Sequence, residues 1–104
     1  MLQLKRDESP VSGNVVTQSV EYLSHPLVTT KAVTIEMEHD PDANSFVTYV
    51  KELHGMSTFG DTELGALDMT AEMIRGYIES MENRKMPIPL AKAKLAELKH
   101  IVGL

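Results

Sequence analysis

The sequence has no cysteine and no tryptophan, and aromatic residues make up only 5% of it. Without cysteine there is no disulfide framework, no thiolate nucleophile and no thiolate metal site. No apolar run approaches the roughly 20 residues that a membrane-spanning helix needs, so no membrane partner is expected. The opening residues, Met1 to Arg6, lack the apolar segment and small-residue cleavage site of a secretory signal, and a cytoplasmic location is the expectation. An excess of positive charge is also missing: 10 Lys and Arg stand against 15 Asp and Glu, a net charge of −5. That balance disfavours unspecific binding to nucleic acid or to an anionic membrane and favours a basic partner.

What remains is ordinary for a small globular chain. At 104 residues it is long enough for one modest core, with 42% hydrophobic and 24% charged residues. Seven methionines supply volume that aromatics do not, and methionine adapts to irregular gaps. A chain of this size buries only about 60% of its unfolded surface, which makes a homo-oligomer, dimer or tetramer, an expected supplement. Charge is unevenly spread. Residues 61–83 hold Arg75 among six acids, whereas residues 84–104 hold Arg84, Lys85, Lys92, Lys94 and Lys99 with Glu97 as the one acid. The acidic helix and basic tail can pair within one chain or between subunits.

Taken in order, residues 1–14 read as a flexible arm and residues 15–32 as an additional N-terminal strand region. Val16, Val20 and Tyr22 share one strand face, Pro26 interrupts, and strand resumes from about Leu27. Val33, Ile35 and Met37 then alternate with Thr34, Glu36 and Glu38, the cleanest period-two pattern in the chain. Asp40-Pro41-Asp42-Ala43-Asn44 is a turn. Residues 45–50 form the next strand, with Phe46 and Val50 on one face and Val47 and Tyr49 on the other. Met56 to Phe59 is a short third strand. Gly60 reaches backbone angles closed to other residues, and Asp61 or Thr62 caps the helix behind it. Leu64, Leu67, Ala71, Ile74, Ile78 and Met81 line one face of that helix, which stops at Asn83. Gly65 and Gly76 weaken it and mark places for close backbone approach. After the stiff Met86-Pro87-Ile88-Pro89 connector, residues 90–104 carry a second helix with Pro89 at its first turn and Gly103 at its end.

No motif here carries chemistry by itself. His39, Asp40 and Asp42 contain metal-ligand types, but an Asp-rich turn explains them without a metal. His54 has no serine, cysteine or carboxylate at a diagnostic spacing. Gly55 to Gly60 lacks the Lys-Ser/Thr and third glycine of nucleotide-binding loops. Glu36, Glu38, Asp61 and Glu63 do not form a coherent magnesium set, since capping accounts for Asp61. No cofactor and no catalysis are expected. The exposed apolar residues say more. Either Val47 with Tyr49, or Phe46 with Val50, must face away from a single helix layer. That face then meets another chain or is covered by the C-terminal helix.

Residues 33–89 resemble the HicB-like antitoxin family. The resemblance is carried by the residue 33–38 strand, its turn, Phe46-Val47-Thr48-Tyr49-Val50-Lys51-Glu52-Leu53-His54-Gly55, and Met56 to Thr62 with its Gly-Asp-Thr helix start. Leu64-Gly65-Ala66-Leu67, Ile74, Tyr77, Ile78 and the Pro87-Ile88-Pro89 exit complete it. His54 stands where the family usually has proline, and both acids of its Glu-Glu-Ala-Leu segment are replaced. The resemblance implies a β-β-β-α core of the partial ribonuclease H type that often assembles further. In toxin-neutralising members that core docks on a small basic RNA-cleaving protein. The family's DNA-binding domain has no counterpart in the fifteen residues after Pro89, and no DNA partner is expected.

The reading is therefore an α+β domain, 1–104. An antiparallel three- to four-stranded sheet packs on one main helix, with a short C-terminal helix added. Its function is expected to be that of a noncatalytic protein-binding module like a HicB-type antitoxin. Glu36, Glu38, Asp61 and Glu63, with Phe46, Val47, Tyr49 and Val50, are the expected partner or oligomer interface. An orphan structural homo-oligomer is the alternative, and a small RNA-processing enzyme a third class.

Overall fold

Alternation of Ile35 and Met37 with Glu36 and Glu38 does produce a strand, and the chain is built outward from it. A computed structural model of the protein describes residues 3–5 and 20–104. Strand β1 (Gln3–Lys5) is followed by a 3₁₀ turn at Val20–Ser24 and a one-turn helix α1 (Pro26–Thr29). Then come β2 (Ile35–Asp40), β3 (Ser45–Val50), β4 (Met56–Gly60), the long helix α2 (Glu63–Asn83) and α3 (Lys92–Ile101).

The sheet runs β1-β2-β3-β4. β2, β3 and β4 are antiparallel neighbours, with Met37 opposite Thr48 and Thr48 opposite Thr58. β1 is different. It lies parallel to β2, with Gln3 opposite Glu36 and Lys5 opposite Glu38, so the fourth strand is not antiparallel as expected. It also takes residues 3–5 out of the expected flexible arm, whose remaining residues lie outside the described ones.

The expected N-terminal strand is corrected where it can be seen. Residues 15–19 lie outside the described residues, but Val20–Ser24 turns as a 3₁₀ helix and Pro26–Thr29 as α1. The reason is local. The His25 ring accepts a hydrogen bond from the Leu27 N–H through Nδ1 at 3.1 Å, and Pro26 occupies the first helical position, which suits its missing N–H. Both turns deliver one apolar side chain inward, Tyr22 and Leu27.

α2 starts where its cap dictates. Thr62 Oγ1 accepts from the Gly65 N–H at 2.9 Å, while Asp61 is exposed one residue earlier and does not cap. Ala66, Leu67, Thr70, Ile74 and Ile78 are buried along one stripe of the helix. They meet Ile35, Met37 and Val50 from the sheet, and each large side chain so buried contributes roughly 1.5–3 kcal/mol. Gly60 does not use a special backbone angle, since its φ is not positive. Its role is proximity, because β4 ends against the backbone of Gly65 and Ala66. A β-carbon at Gly65 would press on the Thr62 cap, whereas one at Gly76 would meet nothing, so the expected close approach fails there.

α3 begins two residues later than the sequence suggests. Pro89 precedes it, and Ala91 stands at its N-terminus without a side-chain cap. Leu98 and Val102 bury it on its own subunit. Glu97 accepts from the Thr30 hydroxyl, which in turn accepts from the Ala32 N–H. Lys99 pairs with Glu82 of α2 at 2.9 Å, so tail and acidic helix meet within one chain.

Candidate sheet-face interface

The two faces of β3 are told apart by one polar residue. Thr48 is completely buried, and its hydroxyl lies 2.6 Å from that of Thr70 on α2. Thr70 donates to the Ala66 carbonyl, so Thr48 is the donor between the two hydroxyls. The even-numbered residues of β3 therefore face the helix. Val50 is fully buried there and offers no surface to a partner, which removes it from the interface. Phe46 packs on the core margin, its ring centroid 4.9 Å from that of His39, and is likewise turned to the helix side.

Val47 and Tyr49 are the pair that faces away. Strand register sets Val47 between Glu38 and Phe59, and Tyr49 between Glu36 and Ser57. Since side chains alternate across a sheet, all six lie on the open face. It has an apolar centre of Val47, Tyr49 and Phe59, with Glu36 and Glu38 along β2. Phe59, 64% exposed, is the most exposed large hydrophobic residue among those described. The sequence reading missed Phe59. Its signal was the register, because a residue paired with Val47 must share its face.

The acids are divided. Glu36 and Glu38 lie on the open face, whereas Asp61 and Glu63 belong to the start of α2, which packs on the opposite one. Two strands separate the groups, so they do not make one acidic surface. α3 does not cover the open face either, since it packs with α2 and the segment around Thr30.

The hairpin ends show how the surrounding side chains are used. Asp40 Oδ1 accepts from the Asp42 N–H at 3.0 Å, an Asp turn in which the carboxylate is held by backbone. Glu52 accepts from the Thr34 N–H at 2.6 Å and from its hydroxyl at 2.8 Å, fastening the β3 end to the start of β2. Burial pushes the Glu52 carboxyl up, but the hydrogen bonds from Thr34 outweigh it and hold the group below the usual glutamate range. His54 has φ 63°, a left-handed conformation closed to proline. The turn at His54-Gly55 is thus one that proline at position 54 does not form.

Among the described residues, no three His, Asp or Glu side chains converge as a metal site would. No helix among them is long and apolar enough to cross a membrane. Compared with protein-family models, curated proteins and solved structures, the chain matches none of them.

Proposed function

We propose that the protein is a noncatalytic protein-binding module of the HicB-like antitoxin kind. Its open sheet face docks a small basic partner, for which an RNA-cleaving toxin-like protein is the chemical model. One observation carries this reading: Val47, Tyr49 and Phe59 form an apolar strip that no described element covers, with Glu36 alongside. Apolar centres rimmed by charge are the usual anatomy of protein interfaces. The −5 charge draws a basic partner toward the protein, and Glu36 then orients it. Inhibition follows by occlusion, because the partner's basic RNA-binding surface is occupied.

The test is calorimetric titration with a small basic RNA-cleaving protein of double-stranded-RNA-binding fold, beside an RNA cleavage assay. Stoichiometric binding that suppresses cleavage is the expected outcome. Tyr49→Ala with Glu36→Lys should weaken it roughly 30-fold or more, the loss of an interface hot spot. No binding would sink the antitoxin reading. Magnesium-dependent RNA cleavage by the chain alone, lost on Glu36→Gln or Asp61→Asn, would replace it with an enzymatic one.

A second reading, a structural homo-oligomer, is favoured by a different observation: the outer side of β4 has no partner strand among the described residues.

A further inference from the structure

β4 ends the sheet. β3 pairs its inner side, and no described strand pairs its outer side. A free strand edge presents a row of backbone donors and acceptors, and proteins ordinarily guard it with lysine, proline or other charge. Met56-Ser57-Thr58-Phe59-Gly60 contains none of these. Each of its residues is exposed or half-buried, with Phe59 the most exposed.

We propose that β4 pairs antiparallel with β4 of a second copy, about a two-fold axis at Thr58, joining two sheets into one of eight strands. Three observations select a second copy as the occupant. First, a register centred on Thr58 pairs every residue of the strand, and both large side chains fall opposite small ones, Met56 on Gly60 and Phe59 on Ser57, with Thr58 opposite itself. Second, this register sets odd residues opposite odd ones, so both open faces stay on the same side of the joined sheet. Third, two copies of charge −5 repel wherever their charged faces approach, and residues 56–60 carry no charge. Phe59 of the two copies then lies diagonally across the junction and makes their apolar strips continuous. The inference does not rest on partner binding, since it concerns the edge of the sheet and not what its face holds.

Light scattering on the full chain tests it. Wild type should show twice the chain mass. Ser57→Lys with Phe59→Lys puts like charges opposite each other in two rungs, which is destabilising, and should give the single mass with an unchanged far-ultraviolet circular dichroism spectrum. Ser57→Lys with Phe59→Glu, which sets opposite charges in the same rungs, should restore the double mass. Val47→Lys, on the face but away from the edge, should leave it unaltered. If the lysine pair unfolds the chain, amide exchange on wild type decides: exchange at residues 57–59 should slow as protein concentration rises. Wild type at single mass at its highest soluble concentration would overturn the proposal. So would a dimer that survives the lysine pair, a dimer lost in Val47→Lys, or exchange indifferent to concentration.

Discussion

Gly60 and Ala66 lie so close that a β-carbon on the glycine would sit 2.5 Å from the Ala66 amide nitrogen and 2.8 Å from its Cα. Every atom in the way is backbone, so nothing can swing aside. The contact joins the last residue of β4 to the first turn of α2 and so fixes where the helix leaves the sheet. Gly60→Ala should therefore lower stability by about 1–3 kcal/mol or more, the range of an overpacked core. The urea midpoint of unfolding measures it.

Gly76 is the contrasting case. A β-carbon there meets nothing within 4 Å, and glycine weakens a helix interior by roughly 1 kcal/mol relative to alanine. Gly76→Ala should raise the free energy of unfolding by up to about that amount, seen as a higher urea midpoint at unchanged slope.

The Thr48–Thr70 pair gives an asymmetric prediction. Removing Thr70 leaves the buried Thr48 hydroxyl with only the Thr58 carbonyl, at 3.5 Å. Thr70→Val should cost about 1–3 kcal/mol, the penalty for a buried polar group that loses its partner. Thr48→Val should cost less, since Thr70 still donates to the Ala66 carbonyl. A double-mutant cycle should find the double variant less damaged than the sum of the two singles.

Glu52 links stability to pH. Its carboxyl is held below the reference value of 4.5 in the folded chain, so the unfolded state binds the proton more readily. Its stabilising contribution is fully present above about pH 4.5 and is lost as pH falls through the lower folded value. Denaturant titrations of wild type and Glu52→Gln should show a stability gap at neutral pH that narrows below pH 4.5.

His25 has its tautomer set by two partners. Nδ1 accepts from the Leu27 N–H, so in the neutral ring the proton sits on Nε2, directed at Asp68 at 3.1 Å. Nitrogen chemical shifts of the neutral imidazole should report the Nε2–H form. His25→Ala should cost about 0.5–2 kcal/mol as a lost helix cap.

The β2–β3–β4–α2 run was legible in the sequence because each element there carries its own signal. Ile35 and Met37 alternate with acids, Asp40 to Asn44 mark a turn, and apolar residues recur by threes and fours from Leu64. Before Ile35 that logic failed. Val20 and Tyr22 look like strand positions, but Ser24-His25-Pro26 is also a helix-start signal, and the backbone took the local hydrogen bonds it offers. At the interface, β3 has apolar residues on both faces, and hydrophobicity alone does not choose between them. The choice was made by Thr48, a polar residue turned inward because Thr70 waits for its proton. Phe59 escaped notice for a related reason: its environment comes from pairing with Val47, twelve residues earlier.

The parallel pairing of β1 has a kinetic corollary. β2, β3, β4 and α2 follow one another with short connections, so their contacts close small loops and form early. β1 must instead come back to β2 across the whole stretch between Lys5 and Ile35. Closing that larger loop is slower, and it yields only a three-residue ladder. The last event in assembly is then the arrival of the chain's beginning, after the framework it joins is already in place.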